Sequence, residues 1–282
     1  MDMILLFLTI LIAILSLWLS AKFTIPWIKK SFVVYGLLFT LTAFAIAGIL
    51  ISEHWPTIQK TAGGLLQTKN YTPPQKEISK TAIREAVYIE APSISQLPEL
   101  PRGCEVTTLA MLMQYFGENV DKMELAEKVK RDTTPYHRIN GEIHFGNPYD
   151  GFVGDMYSFA NPGLGVYHGP IADLAREYFG DQVIDFSGGS FNEIIHHLNN
   201  GQPVWVIINS TYKELPDHMF TTWHTPSGPI EITRKEHSVL ITGYDQDYIY
   251  FNDPLHLATK APYEDFKAAW EQMGKQAITI SK

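Results

Sequence analysis

The 282-residue chain contains a single cysteine, Cys104. One thiol forms no internal disulfide and supplies no cysteine-rich zinc or iron-sulfur site, so this residue is either packing material or a reagent. Positive charge is scarce as well, with 22 Lys and Arg against 30 Asp and Glu, a formal net charge of -8. That balance lacks the basic footprint that neutralises phosphates, which argues against a nucleic-acid partner. Neither a glycine-rich phosphate loop nor an HExxH pattern occurs, so nucleotide-driven and zincin chemistry have no carrier. The histidines do not restore a metal reading, because His196 and His197 are adjacent on an expected helix and point apart.

Charge is missing altogether from two long stretches, residues 3–21 and 31–52. As a helix, each is long enough to cross about 30 Å of hydrocarbon. Residues 1–52 therefore read as a membrane anchor of two transmembrane helices, with the lipid bilayer as partner. Lys22, Lys29 and Lys30 lie between the runs and Asp2 and Glu53 outside them, so the connector is expected in the cytosol and both termini outside. Trp18, Trp27 and Trp55 fall near the ends of the runs, where indoles favour the headgroup region. The implied location is the cell membrane, multi-pass, with the following domain on the extracytoplasmic side. A signal peptide is the alternative for the first run, but Asp2 stands where a basic residue is wanted and Leu19-Ser20-Ala21 is a poor cleavage site. Residues 53–87 turn polar, with "TAGG" and "YTPPQKE", as a linker or stalk does.

Residues 88–282 are long enough to bury a core without disulfides. Val106, Leu109, Ala110, Met113 and Phe116 recur at helical spacing behind Cys104. Further helices are expected over 123–131, 171–178 and 191–199, and strands at "PVWVIIN", "HSVLITGYD", "YIYFND" and "QAITI". Helices precede strands, which predicts an α+β domain with a helical half packed on a mostly antiparallel sheet. "GNPYDGFVGDMY" and "NPGLGVYHGP" read as loops beside a cleft. Within them Asp155 and Tyr157 read as turn residues. Trp205 is expected in the core, and Trp223 either walls the cleft or packs in a loop.

Cys104 opens a helical pattern, and unpaired N–H groups and the helix dipole favour a thiolate there. A nucleophilic thiol also needs an imidazole and a group to orient it. His237 opens the strand "HSVLITGYD", and Asp253 closes the next, "YIYFNDP". A hairpin of the two brings these ends together. Asn252 is chemically able to orient a ring as well, but neighbouring strand residues face opposite ways, and Asp253 is the preferred partner.

"QLPELPRGCEVTTLAMLMQYFG", "EHSVLITGYD" and "YIYFNDP", in that order with "GQPVWVIIN" between, resemble the papain-like cysteine peptidases related to bacteriocin double-glycine leader peptidases, in their stand-alone bacterial branch. The resemblance spans Tyr88 to the C-terminus. It implies a papain-like fold, with Cys104 as nucleophile, His237 as general base and then acid, and Asp253 as orienting carboxylate. It also implies Gln96 as an oxyanion donor beside the Cys104 backbone N–H. The implied reaction is amide hydrolysis of a peptide or protein substrate through a thioester, without a metal or organic cofactor. An inert papain-like module that binds peptides or a membrane partner is the alternative.

Overall fold

The computed structural model describes residues 84–281 without interruption and, before them, residues 11, 12, 14, 15, 18, 22, 27, 28 and 30–43. The chain divides into two units, Met1–Lys80 and Thr81–Lys282. Every described residue of the first unit is helical, and residues 30–43 are the longest uninterrupted piece. Thr40 and Thr42 return their hydroxyls to the carbonyls of Gly36 and Leu38, as apolar helices require of their few polar side chains. Among the described residues no helix is long and apolar enough to cross a membrane, so the two expected spans are not seen. Much of the first run, residues 44–52 and the expected stalk up to residue 83 lie outside the described residues.

In the second unit the chain order is β1 (Val87–Tyr88), α1 (Cys104–Tyr115), α2 (Lys122–Lys128), β2 (Arg131–Asp132), β3 (His137–Ile139), β4 (Glu142–His144), β5 (Phe152–Val153), α3 (His168–Phe179), β6 (Val183–Asp185), α4 (Phe191–Asn199), β7 (Val204–Asn209), β8 (Phe220–Thr225), β9 (Gly228–Thr233), β10 (Glu236–Tyr244), β11 (Tyr248–Asn252), β12 (Lys260–Pro262), α5 (Tyr263–Gln272) and β13 (Ala277–Ile280). A fully antiparallel sheet runs β12-β11-β10-β7-β13-β6, with β1 added on β10. Residues 84–87, expected in the stalk, are tied to this domain. Arg84 N–H donates to Asn199 Oδ1, and Val87 pairs with Tyr244.

The uninterrupted apolar run of β7 follows from burial on both faces. Trp205 and Ile207 join Leu240 and Ile278 in a core under α1, α2 and α3, while Val204, Val206 and Ile208 join Val239 and Ile241 under α4 and α5. The expected helical half thus covers one face only. The other is covered by α4, whose start is fixed by a Ser190–Glu193 capping box, and by α5, which the sequence patterning did not reveal. Helix α1 is buried from Cys104 to Met113 because it is wedged between the sheet, α2 and α3. From Leu109 to Met113 it is apolar on every side, as that position demands, while Glu105 and Thr108 ahead of that run are held by hydrogen bonds.

A small sheet, β3-β4-β8-β9, stands apart from the large one. It contains "FTTWHTPSGP", expected as loop, which forms a hairpin with Gly228 at φ +118. Trp223 neither walls the cleft nor packs in a loop. It is fully buried in that sheet's own core with Phe145, Leu164 and Ile232.

Candidate active site

Cys104 is the first residue of α1 and follows Gly103, where a Cβ would stand 2.6 Å from the Leu100 side chain. Only glycine fits the tight approach that delivers the thiol. The sulfur lies at the floor of a cleft of about 300 Å³ whose lining includes Gln96, Arg102, Cys104, Gly163, Glu236 and His237. Two bonds lock α1 to the sheet beneath: Thr108 Oγ1 donates to the carbonyl of Ser238, next to His237, at 3.2 Å, and Trp205 Nε1 donates to the Glu105 carbonyl at 3.0 Å. The fold thereby brings Cys104 and His237, distant in sequence, to one cleft. In this resting conformation no hydrogen bond joins the two side chains. Cys104 Sγ instead donates to Glu105 Oε2 at 3.3 Å.

The β10–β11 hairpin sets the second half of the site. His237 Nε2 and Asp253 Oδ1 are 2.7 Å apart, and both residues are buried. Asp253 also accepts from the Leu255 N–H at Oδ1, and from the Leu257 N–H and the Tyr212 hydroxyl at Oδ2. Burial opposes its ionisation, but the hydrogen bond and charge of His237, with the donors around it, outweigh that cost and hold its pKa at about 2. An ionised carboxylate can only accept, so Nε2 carries the imidazole proton and Nδ1 is left as a base. Asn252, the alternative partner, turns away and donates to the carbonyls of Ala91 and Pro92. Gln96 also lines the cleft, but its Nε2 donates to the carbonyls of Leu100 and Pro101, and its buried Oε1 has no partner among the described residues. As it stands, the carboxamide stiffens the turn before Cys104. A role as oxyanion donor requires one N–H to swing into the cleft.

The model of the Peptidase_C39 like family matches residues 88–278. The chain belongs to that family. The uncharacterized protein YvpB of Bacillus subtilis (strain 168) is 48% identical over 186 residues, 66% of this chain and 71% of that protein. A crystal structure described as a C39-like peptidase from Bacillus anthracis superposes with a TM-score of 0.66 at 45% identity, covering 71% of this chain and 98% of that one.

This C39-like site holds a feature that the motifs did not announce. Glu105 and Glu236 meet beside the sulfur, with one carboxylate oxygen from each and Cys104 Sγ all within 4.8 Å of one another. Glu105 is fully buried and its Oε1 accepts from the Val166 N–H at 2.7 Å. Burial pushes Glu105 up to about 7, although its hydrogen bonds from Val166 and Cys104 favour the anion. Burial and the repulsion of Glu105 together raise Glu236. The expected low-pKa thiol is corrected by the same cluster. Burial and both glutamates push Cys104 well up, and the resting group is a neutral thiol.

The glutamate pair carries a stability signature. A carboxyl raised in the fold stabilises it while protonated, that is, below its unfolded value of 4.5, and this contribution is lost as pH rises through about 7. Asp253, held at about 2, contributes the other way, losing stability as pH falls below its unfolded value of 3.8. Denaturant midpoints are therefore expected to fall between about pH 5 and about pH 8, and Glu105→Gln is expected to flatten that fall. Identical slopes in wild type and variant would contradict the assignment.

Proposed function

We propose that the chain is a cysteine peptidase that hydrolyses a peptide or isopeptide amide through Cys104, His237 and Asp253. The observation that carries this reading is the buried His237–Asp253 pair opening onto the cleft that holds the chain's only thiol. In the proposed cycle His237 Nδ1 takes the Cys104 proton as the sulfur attacks the carbonyl carbon. The imidazolium then passes that proton to the departing amine and leaves a thioester. His237 next deprotonates a water that attacks the thioester, and the proton returns to sulfur as the acid leaves. The Cys104 backbone N–H at the start of α1, with Gln96 once redirected, stabilises the oxyanion.

The uncharged runs over 3–21 and 31–52, with Lys22, Lys29 and Lys30 between them, support a two-helix membrane anchor and a reaction on the outer face. On that reading the lipid bilayer and an extracytoplasmic peptide are the partners. The neutral thiol bonded to Glu105 favours a second reading, an inert module that binds peptides without cleaving them.

Alkylation separates the two, and a single cysteine makes the product unambiguous by mass. If His237 is the base, wild-type Cys104 reacts with iodoacetamide near neutral pH about tenfold or more faster than in His237→Ala. Equal rates would favour the inert module.

A further inference from the structure

We propose that Arg102 and Arg234 form a carboxylate-binding subsite beside Cys104, so that the preferred substrate is a peptide bearing an acidic group next to the amide that the sulfur attacks. The assignment rests on the peptidase reading for the position of the reacting amide.

Both guanidiniums line the cleft of Cys104 and His237. Arg102 lies two residues before the nucleophile. Its Nη1 donates to the Asp155 carbonyl at 3.0 Å and to the Ser158 carbonyl, and its guanidinium lies 4.8 Å over the Phe159 ring. Arg234, in the turn between β9 and β10, donates from Nη1 to the Gly163 carbonyl at 3.1 Å. Each arginine is thus held by the loop that lines one side of the cleft, through Nη1 only among the described residues. Nε and Nη2 remain for a ligand.

Neither cation forms an ion pair among the described residues. Asp155 offsets part of the Arg102 charge, but its carboxylate oxygens are already engaged by the Tyr157 N–H and by Asn161 Nδ2. Burial lowers the Arg102 pKa, and the proximity of Arg234 adds to that. Two like charges held this way repel, and a carboxylate between them relieves the repulsion. Glu236, the acidic member of the lining, is turned to Glu105 and is raised by burial and by that neighbour, which makes it a weak counterion. Arginine is suited to the task because its fork matches a carboxylate in two parallel bonds.

The test uses the full-length chain with labelled octapeptides that carry Glu, or its isostere Gln, on either side of a central amide, each made as C-terminal acid and amide. Binding is measured on Cys104→Ala and cleavage on the wild type. Glu peptides are expected to bind and be cleaved about 10–100-fold better than Gln peptides. That ratio is expected to fall toward one in Arg234→Gln and to survive in part in Arg234→Lys. Preference for the terminal acid alone, several residues from the central amide, would overturn the placement of the subsite beside the sulfur. A wild-type ratio near one, or a ratio that Arg234→Gln leaves intact, would overturn the subsite. Preference in binding with no cleavage of any peptide would retain the subsite and refute the peptidase reading, whereas cleavage without preference would do the reverse.

Discussion

Asp253→Ala is expected to destabilise the domain by about 3–5 kcal/mol and to lower amide turnover by about four orders of magnitude. The stability loss follows from what the carboxylate holds: His237, the Tyr212 hydroxyl and two backbone N–H groups lose their acceptor at once inside a buried site. The turnover loss follows from the ring, since without an acceptor at Nε2 nothing keeps Nδ1 free for the thiol proton. Asp253→Asn separates the two effects. It keeps the shape and, with its one oxygen in the Oδ2 place, can still accept from the Leu257 N–H and the Tyr212 hydroxyl, so part of the stability returns. Its amide also offers Nε2 a donor, which favours the wrong tautomer, and turnover stays low. Equilibrium unfolding and peptide hydrolysis on both variants check this. An active Asp253→Ala variant would remove the residue from the reaction.

The second large effect is expected at Gly165. A Cβ there would collide with Glu105 Oε1 and stand 2.8 Å from Glu236 Oε2. Glu105 has nowhere to retreat, being fully buried with the same oxygen bonded to Val166. Gly165→Ala is therefore expected to cost about 1–3 kcal/mol, as overpacking does, and to shift the glutamates away from the sulfur. Gly169→Ala is the internal control. It sits in α3 with the Tyr149 carbonyl oxygen 3.8 Å from the added Cβ, and the change is expected to stabilise by a few tenths to about 1 kcal/mol. Thermal unfolding that gave both variants the same sign would contradict the packing described around the thiol.

These contrasts show which parts of the molecule are written locally. β7 was legible because a strand buried on both faces carries an unbroken apolar run, β10 and β13 because β-branched and apolar residues dominate them, and α4 because its apolar stripe is clean. α5 was not, since only Phe266, Ala269 and Trp270 of its residues are buried and acidic side chains fill the rest of its first turn. β8 and β9 escaped for a related reason: they form a small satellite sheet in which most β8 side chains stay exposed or half-buried, so no strong alternation marks them. The positions of Cys104, His237 and Asp253 could be read because each sits at or beside the end of an element. The meeting of Glu105 with Glu236, and of Arg102 with Arg234, could not. Glu105 looks like an ordinary first-turn acid of a helix, and its partner arrives only when α1 docks against the start of β10.

The central claim is that the sulfur of Cys104 performs the chemistry. It is tested most directly by following peptide hydrolysis by mass spectrometry with the purified full-length chain and with Cys104→Ala, matched for folding by circular dichroism. The account predicts cleavage by the wild type, with a transient acyl adduct on Cys104, and none above background in the variant. Equal hydrolysis by both proteins would contradict it.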